Sequence, residues 1–158
     1  MKILLSILLI VAFIRGYSQD TIKTKQIDLL IFNINKSSLP VHRDTLIQDR
    51  PELGLKMITY LTTIVKDNEL IKYVNFVNTT IIESGGTRKI SSSSTFYYNQ
   101  NKLIKVEEFL IEGDTKKEAN WYYSEDKPLY YTLQSEKSEA RAVFLLETSK
   151  AFVKQVIK

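Results

Sequence analysis

Between Leu55 and Gln134 the chain alternates β-rich runs with short polar turns, a pattern that predicts a meander of antiparallel strands. The runs fall at 55–65, 70–82, 87–98, 103–112, 117–123 and 129–134, separated by KDNE, SGG, NQNK, GDTK and SEDKP. Two of the hairpins repeat each other. FYYNQNKLIKV, from Phe96 to Val106, aligns with WYYSEDKPLYY, from Trp121 to Tyr131, so that Tyr98 falls on Tyr123, Lys102 on Lys127 and Val106 on Tyr131. IVKDNELIKYV is a fainter third copy, in which Leu70, Ile71 and Lys72 match Leu103, Ile104 and Lys105. The unequal spacing of the three units argues against a solenoid or propeller, whose repeats keep a fixed period.

Successive strand residues point to opposite faces, so alternation sorts the side chains. Phe96, Tyr98, Ile104, Val106, Leu110, Trp121, Tyr123, Leu129, Tyr131 and Leu133 are expected on a core face. Tyr97, Lys105, Glu107, Phe109, Tyr122 and Tyr130 are expected on the other, polar yet aromatic, and form the candidate binding surface.

Periodicity changes at both ends of this region. In QDTIKTKQIDLLIFNINKSSLP, Ile27, Leu30, Ile31 and Ile34 recur at helical spacing, with Asp20 placed to cap the start and Pro40 beyond the end. Leu29 and Phe32 interrupt the polar side and keep a strand as the alternative. VHRDTLIQDRPELG, with Pro51 and Gly54, reads as a connecting loop. Near the carboxyl terminus Ala142, Leu145, Leu146, Ser149, Phe152, Val153 and Val156 predict an amphipathic helix, with Ser138 placed to cap it. The expected fold is therefore α+β: a single antiparallel meander sheet of about six strands, with an N-terminal and a C-terminal helix packed on one face.

The first residues, MKILLSILLIVAFIRGYSQD, have the form of a secretory signal: Lys2, an apolar run from Ile3 to Ile14, then Gly16 and Ser18. That run is too short to span the roughly 30 Å hydrocarbon core of a bilayer at about 1.5 Å per helical residue. The expectation is a signal peptide over 1–18, cleavage near Ser18, a single mature domain over 19–158, and a periplasmic or secreted protein. Arg15, close to the cut, leaves retention as an anchor open. Two of the 22 basic residues, Lys2 and Arg15, fall in that segment, which leaves 20 against 18 acids, a net +2. The remaining bases are interleaved with acids, so the stripe a nucleic-acid partner needs is missing.

Candidate chemistry is sparse. With no cysteine there is no thiol nucleophile, disulfide or thiolate metal site. His42 is the only histidine, so a multi-histidine metal site is excluded and no cofactor or metal is expected. Glu107 and Glu108 are adjacent on a strand and point to opposite faces, so they do not form the carboxylate pair of a glycosidase. Glu108 aims at the core face, where its charge needs a partner such as lysine, arginine or a tyrosine hydroxyl. ESGGTR lacks the spacing and lysine of a phosphate loop and reads as a hairpin turn. The leading expectation is an exported, non-catalytic binding protein of the bacterial cell envelope that meets a protein or glycan through the tyrosine-bearing face. A carrier of an apolar ligand held between sheet and helices is the alternative, and a hydrolase using Glu108 or His42 the third.

Overall fold

The structure, a computed structural model, describes residues 20–132 and 137–157. The proposed signal peptide and Leu133 lie outside the described residues. The chain divides into two compact units, Met1–Ser37 and Ser38–Lys158. In the first, helix α1 covers 20–36; Ile31 is buried and Ile27, Leu30 and Ile34 are half-buried, while Leu29 and Phe32 face solvent. The helical reading of this segment therefore holds. Its last turn closes through Ser37, whose amide and hydroxyl both donate to the Ile34 carbonyl.

The second unit is a seven-stranded antiparallel sheet and a helix. The strands are β1 (Val41–Arg50), β2 (Leu55–Lys66), β3 (Glu69–Glu83), β4 (Gly86–Asn99), β5 (Lys102–Glu112), β6 (Thr115–Ser124) and β7 (Lys127–Tyr131), hydrogen-bonded in chain order. The strand count is seven rather than six because VHRDTLIQDR, expected as a loop, is β1, paired with β2 along its whole length. All ten residues of this edge strand are exposed. A strand with neither face buried carries no hydrophobic alternation to announce it.

Three hairpins turn at one end of the sheet, and they are the three copies of the repeat. Each has two central residues in left-handed backbone: Asp67 and Asn68, Gln100 and Asn101, Glu125 and Asp126. Such two-residue turns match the right-handed twist of the flanking strands. Each hairpin also carries a β-bulge just past its turn. Ile64 pairs with Lys72 but Val65 with Leu70; Tyr97 pairs with Lys105 but Tyr98 with Leu103; Tyr122 pairs with Tyr130 but Tyr123 with Pro128. The extra residues are Ile71, Ile104 and Leu129. The repeated Leu-Ile-Lys is thus the record of a bulge that sends Leu70 and Leu103 into the core and the following lysines to the opposite face. Strict alternation assigns the core to Ile104; the bulge gives it to Leu103. The turns are also tied together, since the Leu70 amide donates to Asn101 Oδ1 at 2.7 Å.

Helix α2 (Ser138–Val156) packs on the core face. Ala142, Leu145 and Leu146 are buried against Tyr98, Val106, Trp121 and Tyr123, and Phe152, Val153 and Val156 complete the contact. The Phe152 ring stacks on Tyr73 with centroids 4.1 Å apart and meets Phe96 edge-on at 5.1 Å. Tyr123 donates its hydroxyl to the Ala142 carbonyl at 3.0 Å, so a buried phenol is satisfied by helix backbone. Lys137 takes the cap position and Ser138 is the first helical residue, buried rather than capping. The expectation of helices packed on one face is met for α2, and α1 belongs to the other unit. Among the described residues no helix is long and apolar enough to cross a membrane.

Candidate functional site

The face of the sheet opposite α2 carries a row set by the strand register: Lys72, Tyr97, Lys105, Tyr122 and Tyr130 are successive cross-strand neighbours on β3 to β7. From β3 to β6 lysine and tyrosine alternate because the bulges deliver Lys72 and Lys105 to this face. Lys72 Nζ lies 5.0 Å from the Tyr97 ring centroid and Lys105 Nζ 4.8 Å from that of Tyr122, both within cation–π range. Glu107 neutralises the centre of the row: Lys105 Nζ is 2.9 Å from one of its oxygens, and Tyr97 donates its hydroxyl to the other at 3.0 Å. Burial lowers the Lys72 pKa, and Glu107 partly opposes that shift.

Five of the six predicted surface residues, Tyr97, Lys105, Glu107, Tyr122 and Tyr130, are thus brought together. They are not the open surface that was expected. Tyr97 is 2 % exposed, Lys105 7 % and Tyr122 8 %, which leaves Tyr130 and the Glu107 carboxylate as the accessible members. Lys72 lies over the Tyr97 ring and Lys105 over the Tyr122 ring, so Tyr97, Lys105 and Tyr122 are buried residues on the face opposite α2. Alternation identifies the face correctly and its exposure incorrectly.

The core face holds the one charged group that was expected there. Glu108 lies beside α2 with its side chain 17 % exposed, and Arg141 on the first turns of α2 bonds it with a fork, Nε on Oε2 at 3.3 Å and Nη2 on Oε1. Trp121 Nε1 donates to Oε2 at 2.9 Å and Ser94 Oγ to Oε1 at 3.2 Å. Four donors occupy the roughly four lone-pair directions of a carboxylate. Glu108 therefore acts as an anchor joining β4, β5, β6 and α2, with no lone pair left to take a substrate proton. It borders an open cleft of about 500 Å³, lined also by Ser92, Leu110, Lys117 and Arg141.

His42 lies on β1 and not in a loop. It pairs with Asp44 at 3.1 Å, both side chains largely in solvent, and lines a different cleft, of about 350 Å³, with Leu61, Tyr73 and Gln155. His42 and Glu108 are not assembled into one site. Among the described residues no group of three or more histidines and carboxylates is placed to hold a metal ion.

Farther from the hairpin turns, the face opposite α2 bears an aromatic strip. Tyr60 pairs across strands with Phe76, and Ser93 separates Phe76 from Phe109. The Tyr60 and Phe76 centroids are 6.0 Å apart, those of Phe76 and Phe109 6.1 Å, with ring planes inclined by 29° and 45°. Tyr60 is 40 % exposed, Phe76 and Phe109 are half-buried, and the next row adds Ile47, Ile58 and Ile111, of which Ile47 and Ile111 are exposed. Phe109 was among the predicted surface residues; Tyr60 and Phe76 were missed. The signal for them was present: counting outward from the Asp67–Asn68 turn, with one residue for the bulge, sets Tyr60 opposite Phe76.

Comparison with protein-family models, with curated proteins and with solved structures gives no match.

Proposed function

We propose that the protein is an exported, non-catalytic binding protein of the cell envelope that engages a protein partner through the Tyr60–Phe76–Phe109 strip. The observation that carries this reading is the strip itself: three rings in line across β2, β3 and β5, Tyr60 exposed and Phe76 and Phe109 half-buried, bordered by isoleucines, on a sheet face opposite the α2 layer. Aromatic rings with an apolar surround supply large contact area at small cost in side-chain entropy. The inclination of the rings favours a protein over a glycan, because sugar rings stack best on a flat platform. Export rests on the Lys2, Ile3–Ile14 and Ser18 pattern. The carrier reading loses support because the space between sheet and α2 is filled by the stacked rings of Tyr73, Phe96 and Phe152. The hydrolase reading loses support because Glu108 is saturated with donors.

The test is affinity capture from envelope extracts with mature protein, beside a Tyr60→Ser/Phe109→Ser variant whose folding is checked by circular dichroism. The variant should fold and lose a partner that the wild type retains. Undiminished capture by the folded variant would place the binding surface elsewhere.

A further inference from the structure

The two edges of the sheet differ. β7 is five residues long and contains Pro128, so it offers little to another strand. β1 is ten residues long, is bounded by Pro40 and Pro51 without containing proline, and exposes Val41, Leu46 and Ile47. A long unpaired edge is a template for strand addition.

We infer that the β1 edge pairs with β1 of a second copy of this chain, antiparallel about a two-fold axis through Leu46. The charge pattern selects both the occupant and the register. With Leu46 opposite Leu46, Arg43 of each copy faces Asp49 of the other, Thr45 faces Ile47, and Asp44 faces Gln48. A one-residue slip toward Arg50 sets Arg43 against Arg50 and Asp44 against Asp49, like charges directly opposite, and the reverse slip sets Arg43 against Gln48 and loses both Arg43–Asp49 contacts. Either slip also pairs residues that point to opposite faces, which a two-fold axis normal to the sheet does not allow. A two-residue slip toward Arg50 pairs Asp44 with Arg50 but shortens the overlap and separates Arg43 from Asp49, and the reverse slip keeps the overlap but sets Arg43 against Ile47 and Asp44 against Leu46, with no ion pair. A contact of this kind is isologous and closes as a dimer rather than growing into a fibre. Because the paired residues share parity along the strand, both copies keep α2 on the same side of one continuous sheet. Ile47 and the aromatic strip of each copy then approach those of the other across the dyad, extending the apolar surface of the opposite face.

Sedimentation velocity of the mature protein over a micromolar concentration series tests the pairing. The wild type should show a reversible monomer–dimer equilibrium. Arg43→Asp should weaken it by about tenfold or more, since both symmetry-related contacts turn repulsive. Arg43→Asp/Asp49→Arg should restore it. Arg43 and Asp49 are about 20 Å apart along one strand at roughly 3.4 Å per residue, so rescue requires contact between copies. The absence of native cysteine allows a second measurement: Leu46→Cys should form a disulfide-linked dimer on mild oxidation, because facing residues of antiparallel strands lie within disulfide reach. Leu53→Cys, more exposed but beyond the end of the strand, should not. A wild type that is monomeric throughout, a double reversal that stays as weak as the single one, or equal cross-linking at Leu46 and Leu53 overturns the inference.

Discussion

Glu108→Gln is the sharpest test of the claim that this carboxylate is a structural anchor. The amide keeps one acceptor oxygen for Trp121 or Ser94 but places an NH2 group where Arg141 or the indole now donates. Hydrogen bonds to charged groups contribute about 1.5–3 kcal/mol each. Arg141 is 43 % exposed and rehydrates when released, so its share must be discounted for solvent. The expected cost is about 2 kcal/mol for Glu108→Gln and about 1 kcal/mol for Arg141→Met, with the double variant near the Glu108 value and hence a coupling of about 1 kcal/mol. Urea unfolding followed by emission of Trp121, the only tryptophan, reports on the site directly. At a slope of about 2 kcal/mol/M, the Glu108→Gln midpoint falls by about 1 M. Additive single and double variants, with coupling indistinguishable from zero, would refute the anchor and restore a functional reading of Glu108.

Single positions elsewhere carry their own expected outcomes. Tyr97→Ser should cost about 3 kcal/mol in chemical denaturation, because a nearly inaccessible ring is removed; a loss under about 0.5 kcal/mol, the size of an ordinary surface substitution, would mean that the ring is solvated. Gly54→Ala should lower the melting temperature by several degrees: Gly54 has φ 59°, and an added Cβ meets the Ile82 carbonyl oxygen at 2.5 Å, a backbone atom that cannot swing aside. Burial raises the pKa values of Tyr98 and Tyr123 well above the ordinary phenol value, so the folded state keeps both phenols protonated where the unfolded state ionises them. Their contribution is complete below about pH 10 and is lost as pH rises beyond it. Absorbance at alkaline pH should therefore show these two tyrosines titrating only as the fold melts.

Much of this architecture is legible in the amino-acid order. Six strands, both helices and most of the core follow from alternation and helical spacing, because each of those elements buries one face and must mark it. β1 escapes because its neighbour pairs with it through backbone while its side chains stay in water. The bulges escape because one inserted residue, Ile71, Ile104 or Leu129, leaves composition unchanged yet inverts the parity of every later residue in the strand. The repeat announces three similar hairpins, but only their register shows why Leu-Ile-Lys recurs. Glu108 is recognisable as a charge in need of a partner, whereas the partner's identity depends on α2 bringing Arg141 back across the sheet, 33 residues later in the chain. Exposure is the poorest inference: a row of tyrosine and lysine is polar by composition, and the mutual engagement of Tyr97, Lys105, Glu107 and Tyr122 is a property of their packing.

The recognition face is tested most directly by hydrogen–deuterium exchange of the mature protein, alone and with the captured partner. Bound partner should slow exchange in the segments of β2, β3 and β5 around Tyr60, Phe76 and Phe109, and leave the cleft beside Arg141 and the turns at Asp67, Gln100 and Glu125 unchanged. Protection confined to the cleft or to those turns, with none around the strip, would contradict the account.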